Sequence, residues 1–149
     1  MKMTVLSPMN GVAVPLSSVK DEVFSKKILG DGAAVRPTDG RVCAPCAGVV
    51  SMVADTGHAI SIRAAENVQV MVHVGLDTVA LEGRPFRVHV AVGDKVKVGA
   101  PLITADLKAI EAAGHDTVTP VILCEAGRFT NMKTAVGAVT PTDWLMRLE

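Results

Sequence analysis

The chain has 149 residues, of which 49% are hydrophobic and only 3% aromatic, so small aliphatic side chains must fill its core. This is the usual size of one domain, which can bury roughly two thirds of the surface that it exposes when unfolded. Fifteen basic and fifteen acidic residues cancel, which argues against a nucleic-acid binder, because such proteins normally carry a basic surplus.

No apolar run approaches the ~20 residues that a membrane-spanning helix needs. The first residues, M-K-M-T-V-L-S-P, lack the long apolar centre of a signal peptide. We therefore expect a cytoplasmic chain without direct membrane insertion, either free-standing or cut from a longer protein.

Short β-prone runs follow one another along the chain, separated by glycine, proline and aspartate. They include G-V-A-V-P (11–15), A-A-V-R-P (33–37), R-V-C-A-P (41–45), G-V-V-S-M-V (48–53), H-A-I-S-I-R (58–63), N-V-Q-V-M-V-H-V (67–74), F-R-V-H-V (86–90), K-V-K-V (95–98), P-L-I-T-A (101–105) and T-P-V-I-L (119–123). This spacing predicts an all-β sandwich or barrel. Segments 39–50 and 92–103 share a glycine-turn-valine pattern, which suggests an internally duplicated fold.

One or two short helices are expected among these strands. In A-D-L-K-A-I-E-A-A-G (105–114), Leu107 and Ile110 share a face and Gly114 provides the stop. The segment 17–29 can hold a further turn or two of helix.

Two histidines stand in β-prone runs, fifteen positions apart. In V-Q-V-M-V-H-V the alternation of a strand places valines on one face, the natural core side, and Gln69, Met71 and His73 on the other. His58 opens the preceding run, and the spacing leaves room for a strand, a turn and an antiparallel partner, so the two rings can lie side by side. The histidines can be structural, metal-binding or two halves of a chemical site.

Thr56 and Gly75 flank these histidines. The Thr56 hydroxyl, two residues before His58, can hydrogen-bond a ring nitrogen and set its tautomer. A neutral imidazole with a free nitrogen is a nucleophile, and a second histidine can donate to the charge that builds up. Gly75 follows His73 almost at once and allows a tight turn or a close approach to a ligand.

The segment H-V-G-L-D-T-V (73–79) resembles the active-site signature of the glucose-type enzyme IIA (EIIA) domains of the bacterial phosphoenolpyruvate-dependent sugar phosphotransferase system. Other segments are similar in order and spacing, namely 7–11, 21–32, 36–45, 56–62, 96–102, 106–107 and 119–123. The resemblance covers about residues 5–140, so we expect residues 1–149 to form a single EIIA domain. It implies an antiparallel β-sandwich with little helix.

The resemblance also implies a phosphocarrier that needs no cofactor or metal. In this family the histidine corresponding to His73 accepts a phosphoryl group from phosphohistidine on the carrier HPr and passes it to a cysteine of an enzyme IIB domain. The position of His58 belongs to the histidine that stabilises the phosphoryl group, and that of Thr56 to the residue that orients it. The sugar is selected by the membrane-embedded partner, so this chain does not identify it.

By the same resemblance, an apolar face around the histidines docks HPr and IIB. Its counterparts here are Asp21, Val23, Phe24, Ile28, Leu29, Met71, Gly75, Asp77 and Val79. Asp21 and Asp77 match acids that meet an arginine of the donor carrier. The chain departs from close relatives at Met71 and Ala54, where phenylalanine is frequent, and at Glu22, where an apolar residue is common.

Three alternatives stay open. His58 and His73 can form half of a zinc site, completed by further ligands. A regulatory relative can use the same face to bind target proteins without passing phosphate. A biotinyl or lipoyl carrier domain would need a lysine at a hairpin tip, which the chain does not place where such domains have it.

The lone motif Cys43-Ala-Pro-Cys46 is better explained by structural thiols than by zinc or redox chemistry. We interpret His89 and His115 as surface or structural residues.

Overall fold

The computed structural model describes residues 1–149 and consists mostly of short strands. The strands are β1 (Met3–Leu6), β2 (Gly11–Pro15), β3 (Asp31–Pro37), β4 (Arg41–Cys43), β5 (Gly48–Val53), β6 (Ala59–Arg63), β7 (Val68–His73), β8 (Phe86–Val88), β9 (Lys95–Val96), β10 (Pro101–Ala105), β11 (Thr119–Ala126), β12 (Met132–Thr134), β13 (Gly137–Val139) and β14 (Trp144–Leu148). The helices are α1 (Glu22–Ser25) and α2 (Leu107–Ala112), with single 3-10 turns at Leu16–Ser18, Ala65–Asn67 and Thr78–Leu81.

The strands form three sheets in which every pairing is antiparallel. An eight-stranded sheet has the order β13-β2-β3-β11-β7-β6-β5-β9, and two three-stranded sheets have the orders β1-β14-β12 and β4-β10-β8. Because the large sheet ends in two edge strands, β13 and β9, it does not close into a barrel. The predicted all-β class with short helices is confirmed, and of the two predicted architectures it is the sandwich. The internal duplication stays a prediction.

The large sheet has two apolar faces, because successive side chains of a strand point to opposite sides. In β7, Val70 and Val72 belong to the main core, whereas Met71 belongs to a second, smaller cluster. The same alternation separates Val121 from Ile122 in β11. The main core lies between the sheets, and the smaller cluster lies under the 3-10 turn at Leu16–Ser18 and α1.

Each β-prone run singled out in the sequence contains a strand, and both predicted helical segments contain a helix. Ile110 is fully buried on the inner side of α2, and Asp106 caps that helix by accepting a hydrogen bond from the Ala109 N–H at 3.1 Å. The sequence reading did not single out β1, β12, β13 and β14. Of these, β14 contributes Leu145, Met146 and Leu148 to the main core.

The terminal sheet β1-β14-β12 can be tested at Leu148, whose side chain is 0% exposed. Leu148→Ala should lower the free energy of unfolding by about 2–4 kcal/mol, because the deletion leaves a cavity in the core. Urea denaturation measures this. The matched control is Val136→Ala, at a side chain that is 70% exposed, which should change stability by less than about 0.5 kcal/mol. Equal effects of the two variants would contradict the packing described for β14.

Candidate functional site

The hairpin of β6 and β7 brings His58 and His73 together. Ala59 pairs with His73 across the hairpin, and the Val74 N–H donates to the His58 carbonyl oxygen at 2.7 Å. The two imidazole centroids lie 4.8 Å apart with an angle of 77° between the ring planes. The register sets Ala59 opposite His73, and His58 lies just before the first residue of β6, after the left-handed Gly57, with its ring beside that of His73.

The His73 tautomer is fixed by a backbone carbonyl. Nδ1 of His73 lies 2.8 Å from the Gly75 carbonyl oxygen. A carbonyl oxygen only accepts hydrogen bonds, so Nδ1 must carry the proton and Nε2 must carry the lone pair. The lone pair that His73 can offer to an electrophile is therefore on Nε2.

His73 is neutral at physiological pH. Burial, with a smaller contribution from repulsion between the imidazolium charges of His73 and His58, lowers its pKa from the ordinary 6.5 to about 4. Phe24 lies against the ring at a centroid distance of 5.0 Å and contributes to this burial. Nε2 consequently keeps its lone pair throughout the physiological pH range.

His58 is held by the threonine two residues before it. Thr56 Oγ1 lies 2.6 Å from His58 Nδ1. When this hydroxyl donates to Nδ1, the proton of the neutral ring sits on Nε2, which makes that nitrogen a hydrogen-bond donor. Burial lowers the pKa of His58 as well, which favours its neutral form.

The turn after His73 demands unusual backbone angles. Gly75 has φ of +78°, and a Cβ atom there would lie 2.5 Å from Thr78 Cγ2 and 3.0 Å from the Asp116 carbonyl oxygen. Asp77 also lies in the left-handed region, with φ of +57°. The buried Thr78 hydroxyl donates to the Val74 carbonyl oxygen at 2.6 Å and closes the turn. The glycine is therefore required on both steric and conformational grounds.

The two rings lie in a shallow depression of about 310 Å³ with a mostly apolar lining. Three other depressions, of about 320, 390 and 360 Å³, contain no histidine. The lining of this one consists of Asp21, Val23, Phe24, Leu29, Met52, Ala54, His58, Ala59, Met71, His73, Asp77 and Val79.

Most of the residues predicted for the site meet at this depression. Of the predicted docking residues, Asp21, Val23, Phe24, Leu29, Met71, Asp77 and Val79 line it. Ile28 and Gly75 do not: Ile28 is 66% exposed beside it, and Gly75 acts through its carbonyl behind His73. Asp21 also caps α1, accepting a hydrogen bond from the Val23 N–H at 2.9 Å.

The sequence reading missed Met52 and Ala59 as lining residues. Met52 shares the site because β5 carries a β-bulge: Val50 pairs with Ile62, but Met52 pairs with Ser61, so Ser51 is an extra residue. The bulge turns Met52 from the face of Val50 to the face of the histidines. No signal in the sequence marks this bulge. Ala59 could have been found from its place directly after His58.

The chain contains no cluster of three or more histidine, cysteine, aspartate or glutamate side chains that could hold a metal ion. Cys43, Cys46 and Cys124 are free. Burial raises the pKa of all three thiols, that of Cys46 to about 11, so they are poor metal ligands and nucleophiles.

The other two histidines lie outside the depression. His89 is exposed, with Nε2 2.7 Å from Thr104 Oγ1, and His115 contacts the backbone of the turn after His73.

Residues 3–129 match the family model of the phosphoenolpyruvate-dependent sugar phosphotransferase system, EIIA 1. The chain belongs to this EIIA family. It is 47% identical over 129 residues to the glucose-specific EIICBA component of the phosphotransferase system (PTS) of Streptococcus pneumoniae, covering 87% of this chain. It is 41% identical over 132 residues to the PTS glucose-specific EIIA component of Oceanobacillus iheyensis, covering 89% of this chain and 80% of that protein.

A solved structure agrees with the fold of this EIIA chain. Glucose permease IIA from Mycoplasma capricolum superposes with a TM-score of 0.93 at 31% identity, covering 100% of this chain and 97% of the other.

Some relatives of this EIIA chain are much longer. It spans 18% of the S. pneumoniae protein and 24% of the PTS beta-glucoside-specific EIIBCA component of Bacillus subtilis. No helix in the structure has the length and apolar character needed to cross a membrane.

The depressed pKa of His73 predicts a pH dependence of stability. Between pH 6.5 and pH 4 the unfolded chain takes up a proton at His73 that the folded chain does not, so stability is full above pH 6.5 and falls as the pH drops towards 4. Between pH 7 and pH 5, wild type should lose about 1–2 kcal/mol more than His73→Gln. Urea denaturation at the two pH values measures the difference. Identical losses would show that the pKa of His73 is not depressed.

Proposed function

We propose that this EIIA domain is a phosphocarrier that accepts a phosphoryl group on His73 from phosphohistidine HPr and passes it to the cysteine of an enzyme IIB domain. The observation that carries the proposal is the neutral His73 ring, whose Nε2 lone pair is free while Nδ1 is held by the Gly75 carbonyl. Membership of the sugar phosphotransferase family supports the general role as a PTS component.

The transfer is a displacement at phosphorus between two imidazoles. His73 Nε2 donates its lone pair to phosphorus while the phosphorus–nitrogen bond of the donor breaks, and that electron pair returns to the donor ring. The positive charge that develops on His73 is shared with Nδ1–H, whose hydrogen bond to the Gly75 carbonyl oxygen strengthens as it does. The reaction depends mainly on positioning and charge stabilisation, as phosphoryl transfers do.

His58 stabilises the phosphoryl group in this proposal. When its Nδ1 accepts from the Thr56 hydroxyl, which lies 2.6 Å away, its Nε2–H is available to a phosphoryl oxygen on His73. The centroid distance of 4.8 Å leaves the second ring within reach of such a group. A neutral donor suits a carrier, because a full positive charge would bind the phosphoryl group more firmly and slow its departure.

The apolar lining serves as the docking surface for both partners. Val23, Leu29 and Val79 are exposed although their side chains are apolar, with 41%, 45% and 55% of their surface accessible to solvent. A partner that covers them removes water from the histidines and strengthens the electrostatic contacts there. Asp21 and Asp77 lie in the same lining and are available to a cationic side chain of the donor.

The longer EIICBA and EIIBCA relatives support a IIB domain as the acceptor, since their names join A and B components in one protein. We propose that the chain acts in the cytoplasm, on its own or as the cytosolic domain of a sugar permease. Regulatory target proteins could use the same face. The geometry adds nothing in favour of zinc, because no third ligand joins the two histidines.

The first test is intact mass and ³¹P NMR after incubation with phosphoenolpyruvate, enzyme I and HPr. Wild type should gain one acid-labile phosphoryl group of ~80 Da on a ring nitrogen. His73→Gln should gain none, and His58→Gln should gain it but transfer it poorly to a IIB domain. His89→Gln, at an exposed histidine outside the depression, is the control and should match wild type. No gain on wild type would overturn the proposal and favour a regulatory or zinc-binding role.

Thr56→Val tests the orientation of His58. The change removes the hydroxyl with little change of volume, so the ring loses the contact that selects its tautomer. We expect His73 still to be phosphorylated, while transfer to IIB slows by about five- to tenfold, the worth of one hydrogen bond. Rapid-quench kinetics measure this. Unchanged onward transfer would remove Thr56 from the proposed mechanism.

A further inference from the structure

The C-terminal end of α2 delivers His115 to the turn that follows His73. Gly114 has φ of +86°, its N–H donates to the Glu111 carbonyl oxygen at 2.9 Å, and the His115 N–H donates to the Ile110 carbonyl oxygen at 3.1 Å. This pair of bonds is the Schellman motif, which ends a helix and fixes the direction in which the chain leaves it. Because Ile110 is fully buried, the helix end and the residue after it are anchored to the core.

Leu76 is held on both sides by the two residues that leave α2. The Leu76 N–H donates to the Asp116 carbonyl oxygen at 3.0 Å, and the Leu76 carbonyl oxygen accepts from His115 Nδ1 at 3.0 Å. Leu76 itself is 7% exposed and packs in the smaller apolar cluster. We call this pair of contacts from His115 and Asp116 to Leu76 the Leu76 clamp.

The clamp acts on the group that fixes the His73 tautomer. The Gly75 carbonyl and the Leu76 N–H belong to one planar peptide unit, so the bond from Leu76 to Asp116 orients the same plane whose oxygen accepts from His73 Nδ1. The next peptide unit, which carries the Leu76 carbonyl, is oriented by the His115 ring. Without that second contact, the plane between Gly75 and Leu76 is held by the Asp116 bond alone, next to a left-handed glycine whose backbone resists rotation little.

Asp116 is itself held in place independently of His115. Its Oδ1 accepts from the Val118 N–H at 2.9 Å, and its Oδ2 lies 3.9 Å from an Arg36 guanidinium nitrogen. Val118 is 1% exposed and belongs to the same apolar cluster as Leu76. The backbone half of the clamp therefore remains when the His115 side chain is changed, which makes the side-chain half separately testable.

We propose that His115 is a positioning residue for His73: by holding the Leu76 carbonyl it keeps the Gly75 carbonyl aimed at Nδ1 and so keeps Nε2 as the nucleophile. The kinetic part of this proposal rests on the proposed phosphocarrier function. The tautomer of His73 does not, because it can be measured on the unphosphorylated protein.

The test is long-range ¹H–¹⁵N NMR of the imidazole nitrogens in wild type, His115→Leu and His115→Asn. In wild type, the ¹⁵N shifts should show His73 protonated at Nδ1 alone. In His115→Leu the ratio of the two His73 tautomers should change about fivefold towards the other form, and the rate of His73 phosphorylation by HPr should fall roughly threefold to tenfold. In His115→Asn, both values should return towards wild type, because the side-chain nitrogen of asparagine, like Nδ1, is bonded to Cγ.

His89→Leu is the matched control, since it also removes a histidine that makes one side-chain hydrogen bond, here to Thr104. It should leave the His73 nitrogen shifts unchanged. Unchanged shifts in His115→Leu would overturn the proposal, as would failure of His115→Asn to restore them in a folded protein. If wild type is not phosphorylated but the tautomer responds as described, the phosphocarrier function fails while the positioning role of His115 stands.

Discussion

The hydrogen bond of 2.8 Å between His73 Nδ1 and the Gly75 carbonyl oxygen joins the last residue of β7 to the turn behind it. It decides which ring nitrogen is protonated, and so which one can attack an electrophile. Much of the nearby structure maintains it. The left-handed angle at Gly75 aims the carbonyl back at the ring, and the Thr78 hydroxyl closes the turn. Without this bond, the neutral His73 ring would be a mixture of its two tautomers.

Burial supplies the second requirement, a ring that stays uncharged. The eight-stranded sheet provides for this by having two apolar faces. One face packs in the main core, with Val70 and Val72, and the other carries Met71 and His73, against which Phe24 of α1 packs. The cost is that the folded chain resists taking up a proton at His73, which reduces its stability in mild acid. Stability and reactivity are thus linked through the same desolvation.

The lining of the depression contains two methionines, Met52 and Met71. Met71 is supplied by strand alternation and Met52 by the β-bulge at Ser51. Unbranched thioether side chains adapt to differently shaped surfaces better than rigid rings do. A face proposed to bind first a histidine-bearing donor and then a cysteine-bearing acceptor is well served by such side chains, and in the same proposal the acids Asp21 and Asp77 distinguish the partners by charge.

The sequence by itself determined strands β2 to β11, the two helices and the residue types of the site. The alternation of apolar side chains, the glycines at turns and the helix stops are all local signals. The resemblance of H-V-G-L-D-T-V to the EIIA signature, with the fifteen-residue spacing between His58 and His73, indicated the family that the family model then showed. Tertiary structure alone decided the terminal sheet, since a strand such as Met132–Thr134 is defined by its partner Trp144–Leu148 rather than by its own pattern. It also decided the bulge at Ser51 and the contact of His115 with Leu76, 39 residues away. Such contacts depend on register and packing between distant segments, for which the chain carries no local signal.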